Sequence, residues 1–284
     1  MNKERLIKDI LSPDAFIISP LVGGMMNESC IVEAKDKKYV LYVSTKQANE
    51  MVNRSLEKDN QLLVYSLGIT SKNIYFDTEK GIKINEFIDG HSLDKINEYS
   101  LKKVAKLLHI LHNSPKMSQE DYHPFARFTV YENEAKSFVK EQDKDYLLLK
   151  EILFNNKDYL ESQKMSLCHN DAQKSNIVKS AKDEYFLIDF EFMGNNDPIY
   201  DIATFGNGAV EEGFALLKEY APNPSVDLMK RYYLWRIFVS LQWYNVALVK
   251  HYRGEGAIHN FNFLSVADFF LNNAKTANKY LSNL

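Results

Sequence analysis

The chain has 284 residues, 45% of them hydrophobic and 13% aromatic, and its 35 basic and 38 acidic residues leave a formal net charge of −3. That length and apolar content support one large domain or two modest ones with a sizeable core, and the near-even charge offers no basic face for nucleic acid. Only Cys30 and Cys168 are present, too far apart for a disulfide framework or a zinc-ligand spacing, which fits a reducing cytoplasm; neither a signal peptide nor membrane insertion is supported. In chain order, "LVGGMMNES" sets Gly23 and Gly24 where backbone can approach a ligand closely, a plain turn being the bland alternative. "SCIVEA" and "KYVLYV" then predict a hairpin around the polar turn "AKDKK". "QANEMVNRSLEKDNQLLVYSLG" predicts one helix ending at Gly68, followed by strands "NIYFD" and "IKINEFI" joined by "TEKG".

Beyond Gly90 the apolar period changes. In "SLKKVAKLLHILHNS", Leu101, Val104, Leu108 and Leu111 fall at helical spacing behind Ser100 as the expected cap. Further helices are predicted over roughly 131–162, 226–252 and 262–282, interrupted by a strand-like block at 166–190 and the turn-rich "GNNDP". The predicted architecture is α+β and bilobal: a small antiparallel-sheet lobe over residues 1–88 and a larger, mostly helical lobe over 89–284, connected near residues 85–90.

The block "SLCHNDAQKSNIVKSAKDEYFLIDFEF" carries the chemistry. It reads as strand, tight turn, strand, and with the turn centred between Lys182 and Asp183, Asn176 faces Asp189 and Ile177 faces Ile188. Opposed residues of a hairpin share a face with Cβ atoms about 4.5–5.5 Å apart. An amide oxygen and a carboxylate presented together suit magnesium, a hard cation that prefers oxygen, and Asp171 stays free to act on something else. A metal site with one carboxylate left over is the apparatus of phosphoryl transfer: the metal neutralises nucleotide phosphates while the base aligns a hydroxyl and accepts its proton. The bland alternative is a solvated hairpin with incidental acids.

"HNDAQKSN" followed by "LIDFEF" resembles the H-x-D-x-x-x-x-N and I-D-x-E pair of the choline/ethanolamine kinase and aminoglycoside phosphotransferase superfamily, whose fold is similar to that of protein kinases. "LVGGMMNES", "VNRSLEKD", "GIKINEFIDG", "LHILHNS" and "NDPIYDIA" resemble further segments of bacterial choline kinases along most of the chain. The resemblance implies ATP and Mg2+ as cofactors. It implies Asp171 as catalytic base, braced by His169, with Asn176 and Asp189 as magnesium ligands and Glu191 near the metal and the acceptor. Asp201 would anchor the loop. Gly23, Gly24 and Asn27 would lie over the phosphates, Glu57 would be the helix glutamate that pairs with a strand cation, and Asn85, Glu86, Phe87 and Ile88 would meet the adenine.

The nucleotide side and the acceptor side each depart from that pattern. Tyr42 stands where the family carries a phosphate-holding Lys or Arg, which would leave Glu57 without its partner unless Lys46 or Arg54 reaches in. In the aromatic cage expected for a quaternary ammonium, Trp243 matches one tryptophan, but Val246 replaces the other and Gly208 or Asn207 replaces a glutamate; Tyr200, Tyr244 and Tyr252 are available to rebuild the cage. The expected function is therefore an ATP- and magnesium-dependent kinase of a small amino alcohol, choline first and ethanolamine next. An aminoglycoside or polyol phosphotransferase is the second reading, and a pseudokinase, motivated by Tyr42 alone, is the third.

Overall fold

A computed structural model describes residues 2–21, 27–256 and 261–284; Gly23 and Gly24 lie outside the described residues. After helix α1 (Lys3–Ile10) come strands β1 (Phe16–Leu21), β2 (Asn27–Ala34) and β3 (Lys37–Ser44), helices α2 (Lys46–Met51) and α3 (Arg54–Ser66), and strands β4 (Asn73–Asp77) and β5 (Ile82–Glu86). The five strands form one antiparallel sheet in the order β1-β2-β3-β5-β4. The β2–β3 turn has Lys35 and Asp36 at φ 51° and 59°, the doubly left-handed pair whose twist matches that of the strands it joins. Alternation buries Cys30, Val32, Leu41, Ile82 and Ile84 on one side of the sheet, where Ile7 of α1 closes a small core.

The single helix expected before Gly68 is two. Val52 and Asn53 are extended, and the Asn53 side chain accepts from the Leu56 amide to cap α3; asparagine stabilises a helix start better than a helix interior. Gly68 takes φ +74° and ends α3 as expected.

Beyond the sheet, short strand β6 (Gly90–Ser92) leads to α4 (Glu98–His112). Its cap is Asn97, and Ser100, the expected cap, returns a hydrogen bond to the Asn97 backbone from inside the first turn, completing a capping box. The helix expected over 131–162 is three: α5 (Pro124–Phe138), α6 (Lys144–Asn155) and α7 (Lys157–Glu161). Asp143 starts α6 by accepting from the Asp145 and Tyr146 amides. Strands β7 (Ser166–Cys168), β8 (Ile177–Ser180), β9 (Tyr185–Leu187) and β10 (Gly194–Asn196) follow, with β6, β8 and β9 in one sheet and β7 and β10 in another. The chain closes with α8 (Pro198–Phe205), α9 (Val210–Tyr220), α10 (Val226–Tyr252) and α11 (Phe263–Leu281).

Helix α10 organises the helical part. Its 27 residues run about 40 Å and pack against α5, α8 and α11, burying Tyr232, Trp235, Phe238 and Leu241. Among the described residues no helix is long and apolar enough to cross a membrane.

Gly90 lets the connector lie flat on β8, because a Cβ there would collide with the Lys179 carbonyl oxygen and crowd the Ser180 Cα. Gly90→Ala is expected to destabilise the protein by about 1–3 kcal/mol in urea unfolding, since backbone, not a flexible side chain, must move.

Candidate active site

The loop after β7 is shaped from below by α8. Asp201, fully buried, accepts from the His169 amide at 2.8 Å and the Asn170 amide at 2.7 Å, and its carboxylate also meets His112 Nε2 of α4 at 2.9 Å. Thr204 Oγ1, one turn on, accepts from the Ala172 amide at 3.1 Å. Three backbone donors of the loop are thus satisfied by one helix, which fixes the loop without any regular structure of its own. His169 is buried: its Nδ1 accepts from the Asp171 amide at 3.3 Å, so Nε2 carries the proton and donates to the Ile188 carbonyl at 2.9 Å. Burial lowers its pKa and favours the neutral ring. His169 joins the loop to the end of β9 and has no open face toward a cleft, so it braces Asp171 from behind.

The β8–β9 register differs from the expected one. Ile177 pairs with Leu187, one residue short of Ile188, and Asn176 does not stand directly opposite Asp189; its carbonyl instead accepts from the Ile188 amide at 3.0 Å. The turn sets this shift, since Ser180 Oγ accepts from the amides of Lys182 and Glu184 and Asp183 adopts φ 61°. Convergence is reached another way. Asn176 closes a 3-10 turn at Lys174–Asn176, and its Nδ2 donates to Asp171 Oδ2 at 2.9 Å. Gln173 Nε2 donates to the same oxygen at 3.1 Å. Asp189 takes φ 68°, a left-handed conformation that costs a non-glycine residue about 1–3 kcal/mol and typically persists where function needs a side chain re-aimed. Burial, and then the charge of Asp189, push the Asp171 pKa up to about 8.

A second set of acids lies beside it. Carboxylate oxygens of Glu57, Asp189 and Glu191 lie within 4.8 Å of one another, and burial followed by the charge of Asp189 pushes Glu191 up to about 7. Asn27 donates to Glu191 Oε1, while Glu191 Oε2 has no partner among the described residues. Two cations answer these acids. Arg54 Nη1 is 2.6 Å from Glu57 Oε2 and 3.7 Å from Glu191 Oε1; Lys83 Nζ is 2.5 Å from Glu57 Oε1 and 3.5 Å from Asp189 Oδ1. Glu57 therefore does not lack a partner. Arg54 reaches in as one of the two side chains considered, whereas Lys46 is exposed and makes no ion pair among the described residues. The clustered carboxylates of Asp189 and Glu191 offer only oxygens, one of them buried and without a partner among the described residues, and so fit a hard divalent cation; Asn176 meets Asp171 directly.

At the connector, the amides of Glu86 and Phe87 are committed to the carbonyls of Lys72 (2.9 Å) and Lys38 (3.1 Å), and Asn85 Oδ1 accepts from Asn73. The first amide after β5 with no such bond among the described residues is that of Ile88.

The acceptor-side expectations need correction. Tyr200 is 1% exposed, edge-on to Trp235 and Phe238, and belongs to the core. Tyr244 stacks on Tyr146 behind α10 and is buried as well. Trp243 sits with Gln242, Val246 and Lys250 on the half-exposed stripe of α10, its ring stacked on Phe270. The rings that feel the Asp171 charge are Tyr122, Tyr131 and Tyr200, with Arg127 and Gln242 beside Tyr122. The Arg127 guanidinium lies 4.7 Å from the Tyr122 ring and 5.7 Å from that of Phe192. Near Gly208, the Glu212 carboxylate lies 3.1 Å from where a Cβ would be and is paired with Lys174 at 2.8 Å. An acid four residues further along thus occupies space near the missing glutamate's position.

An antiparallel sheet joined to a helical body, with an acid loop held by a buried aspartate where they meet, is the fold of the kinase-like phosphotransferases. The sequence profile of the choline/ethanolamine kinase family matches residues 18–233, and the chain belongs to that family. It is 28% identical over 189 residues to Protein LicA of Haemophilus influenzae, a stretch that makes up 64% of this chain and 56% of that protein. The crystal structure of choline kinase LicA from Streptococcus pneumoniae superposes with a TM-score of 0.77 at 25% identity, covering 100% of both chains. A structure of LicA in complex with AMP gives 0.75 at 26% identity, over 99% of this chain and 97% of that one.

The raised pKa of Asp171 makes a stability prediction for the metal-free protein. Its ionised form is disfavoured in the fold, so the carboxylate costs nothing below about pH 4 and progressively more as pH rises toward 8. Asp171→Asn should match wild type below pH 4 and exceed it at pH 8.5 by about 1–2 kcal/mol, a few degrees in Tm by calorimetry.

Proposed function

We propose that this protein is a kinase that uses ATP and Mg2+ to phosphorylate the hydroxyl of a small amino alcohol, choline first. The observation that carries the reading is the meeting of Asp171, bonded to Asn176 and Gln173, with the acids Asp189 and Glu191 in a chain of the choline/ethanolamine kinase family. Under this reading residues 1–88 bind the nucleotide and residues 89–284 supply the catalytic loop and acceptor pocket. Asn176 and Asp189, with Glu191 beside them, would hold Mg2+, which when bound neutralises charge on the phosphates.

Asp171 orients the acceptor hydroxyl and takes its proton. Its raised pKa makes it a better base than an ordinary aspartate, and its hydrogen bonds to Asn176 and Gln173 hold one oxygen so that the other faces the acceptor. Asn27, at the start of β2, donates to Glu191, which supports a place for Asn27 beside the nucleotide phosphates. Ile88, whose amide has no backbone partner among the described residues, is the best-placed connector residue for the adenine edge. Trp243 is the remaining candidate from the expected cage.

A second reading has one observation behind it. The Arg127 guanidinium already covers the faces of Tyr122 and Phe192 near Asp171, and a fixed cation there repels an ammonium. An uncharged or anionic small alcohol would fit beside it; a polycationic aminoglycoside would not.

With Mg2+ and ATP, ADP release should depend on one acceptor from a panel of choline, ethanolamine, glycerol, small hydroxy acids and aminoglycosides. Choline or ethanolamine is expected, and turnover with only glycerol or a hydroxy acid would transfer the assignment to the second reading. Asp171→Asn should lower kcat on the order of 10²–10⁴-fold while the protein stays folded. Trp243→Ala should raise the acceptor KM about tenfold and leave that of ATP unchanged; unchanged acceptor kinetics would assign Trp243 to packing against Phe270.

A further inference from the structure

The position at which the family carries its phosphate-holding cation is Tyr42 on β3, and β3 pairs antiparallel with β5 so that Tyr42 lies directly opposite Lys83. Directly paired residues project from the same face of a sheet. A cation at 83 therefore enters the space that one at 42 would enter, from one strand further along. Lys83 is 4% exposed, and its Nζ lies 4.9 Å from the Tyr42 ring centroid, between Glu57 and Asp189. Tyr42 stays a neutral phenol, its pKa pushed up to about 12 by burial, and offers the ammonium a ring face.

Glu57 does not need Lys83 for neutralisation, because Arg54 already pairs with its other oxygen at 2.6 Å. Asp189, the second partner, is 35% exposed in its side chain, so the ammonium sits at the inner wall of the space between Asp189 and α3 rather than in a sealed core. The ammonium is flanked by Glu57 at 2.5 Å and Asp189 at 3.5 Å. A buried ammonium joining the helix glutamate to a candidate metal-ligating aspartate is placed as a phosphate clamp requires.

We propose that Lys83 is the cation that binds the nucleotide phosphates, delivered from β5 in place of a β3 residue, with Tyr42 as its platform. The proposal rests on the kinase reading above and removes the motive for a pseudokinase.

Two measurements test it. In wild-type protein, an adenosine 5′-acyl phosphate, which acylates a lysine beside the nucleotide phosphates, should modify Lys83 on peptide mapping, and excess Mg-ATP should prevent it. Labelling of another lysine with Lys83 untouched overturns the proposal. In calorimetric titrations Lys83→Met should weaken Mg-ATP at least tenfold, leave adenosine affinity unchanged and lower kcat on the order of 10²–10³-fold. A folded Lys83→Met that binds and turns over ATP as wild type does also overturns it. Should that variant fail to fold, the exchange Tyr42→Lys/Lys83→Tyr keeps a cation beside Glu57: preference for ATP over adenosine retained supports the assignment, and its loss in a folded protein refutes it. Wild-type protein that binds no Mg-ATP at all would sink the kinase reading itself, an outcome distinct from ATP binding that ignores residue 83.

Discussion

Like charges held together against their repulsion are the condition on which this structure depends. Four carboxylates, those of Glu57, Asp171, Asp189 and Glu191, converge where the sheet meets the helices, and among the described residues Lys83 and Arg54 are the cations that pair with them. Such a cluster cannot stabilise the fold by itself, because burial and the charge of Asp189 push the carboxyls of Asp171 and Glu191 up. The rest of the chain makes the cluster tolerable: a left-handed Asp189, an Asn27 side chain on Glu191, and amide donors from Asn176 and Gln173 on Asp171. A divalent cation would relieve what remains, which is the physical reason to expect one there.

Rigidity comes from behind. The carboxylate of Asp201 is sealed in the core, yet every partner it has, the His169 and Asn170 amides and the His112 ring, is polar and satisfied. Helix α8 is held in turn by α10 and α9, so the loop bearing Asp171 inherits the stiffness of the largest apolar cluster in the molecule. His169 extends the same logic toward β9. Positioning therefore runs from the core outward, and the acids themselves need not hold the loop in place.

Sequence reasoning reached furthest where the physics is local. Alternation around "AKDKK" and "TEKG" located four strands closely, and the H-x-D loop located the candidate site. It failed where a side chain competes with the backbone: Asn53 preferred to cap a new helix, and Ser180 widened the hairpin turn and shifted its register by a residue. Lys83 was missed for a different reason. Its pairing with Tyr42 joins strands that are not consecutive, since β4 lies at the edge and β5 inserts beside β3, and no local pattern records that order. The tyrosines expected in the cage lie on or against α10, which is buried around much of its circumference, so an aromatic there gives no hint of which neighbour it faces.

The opposition of residues 42 and 83 across two strands also bears on how such a site can change over generations. Because both side chains open into one space, the positive charge can pass from one strand to its neighbour without moving the helix glutamate or the metal-side aspartate. Under the proposal for Lys83, the phosphate-holding charge belongs to the pair of strands rather than to a single position on one of them.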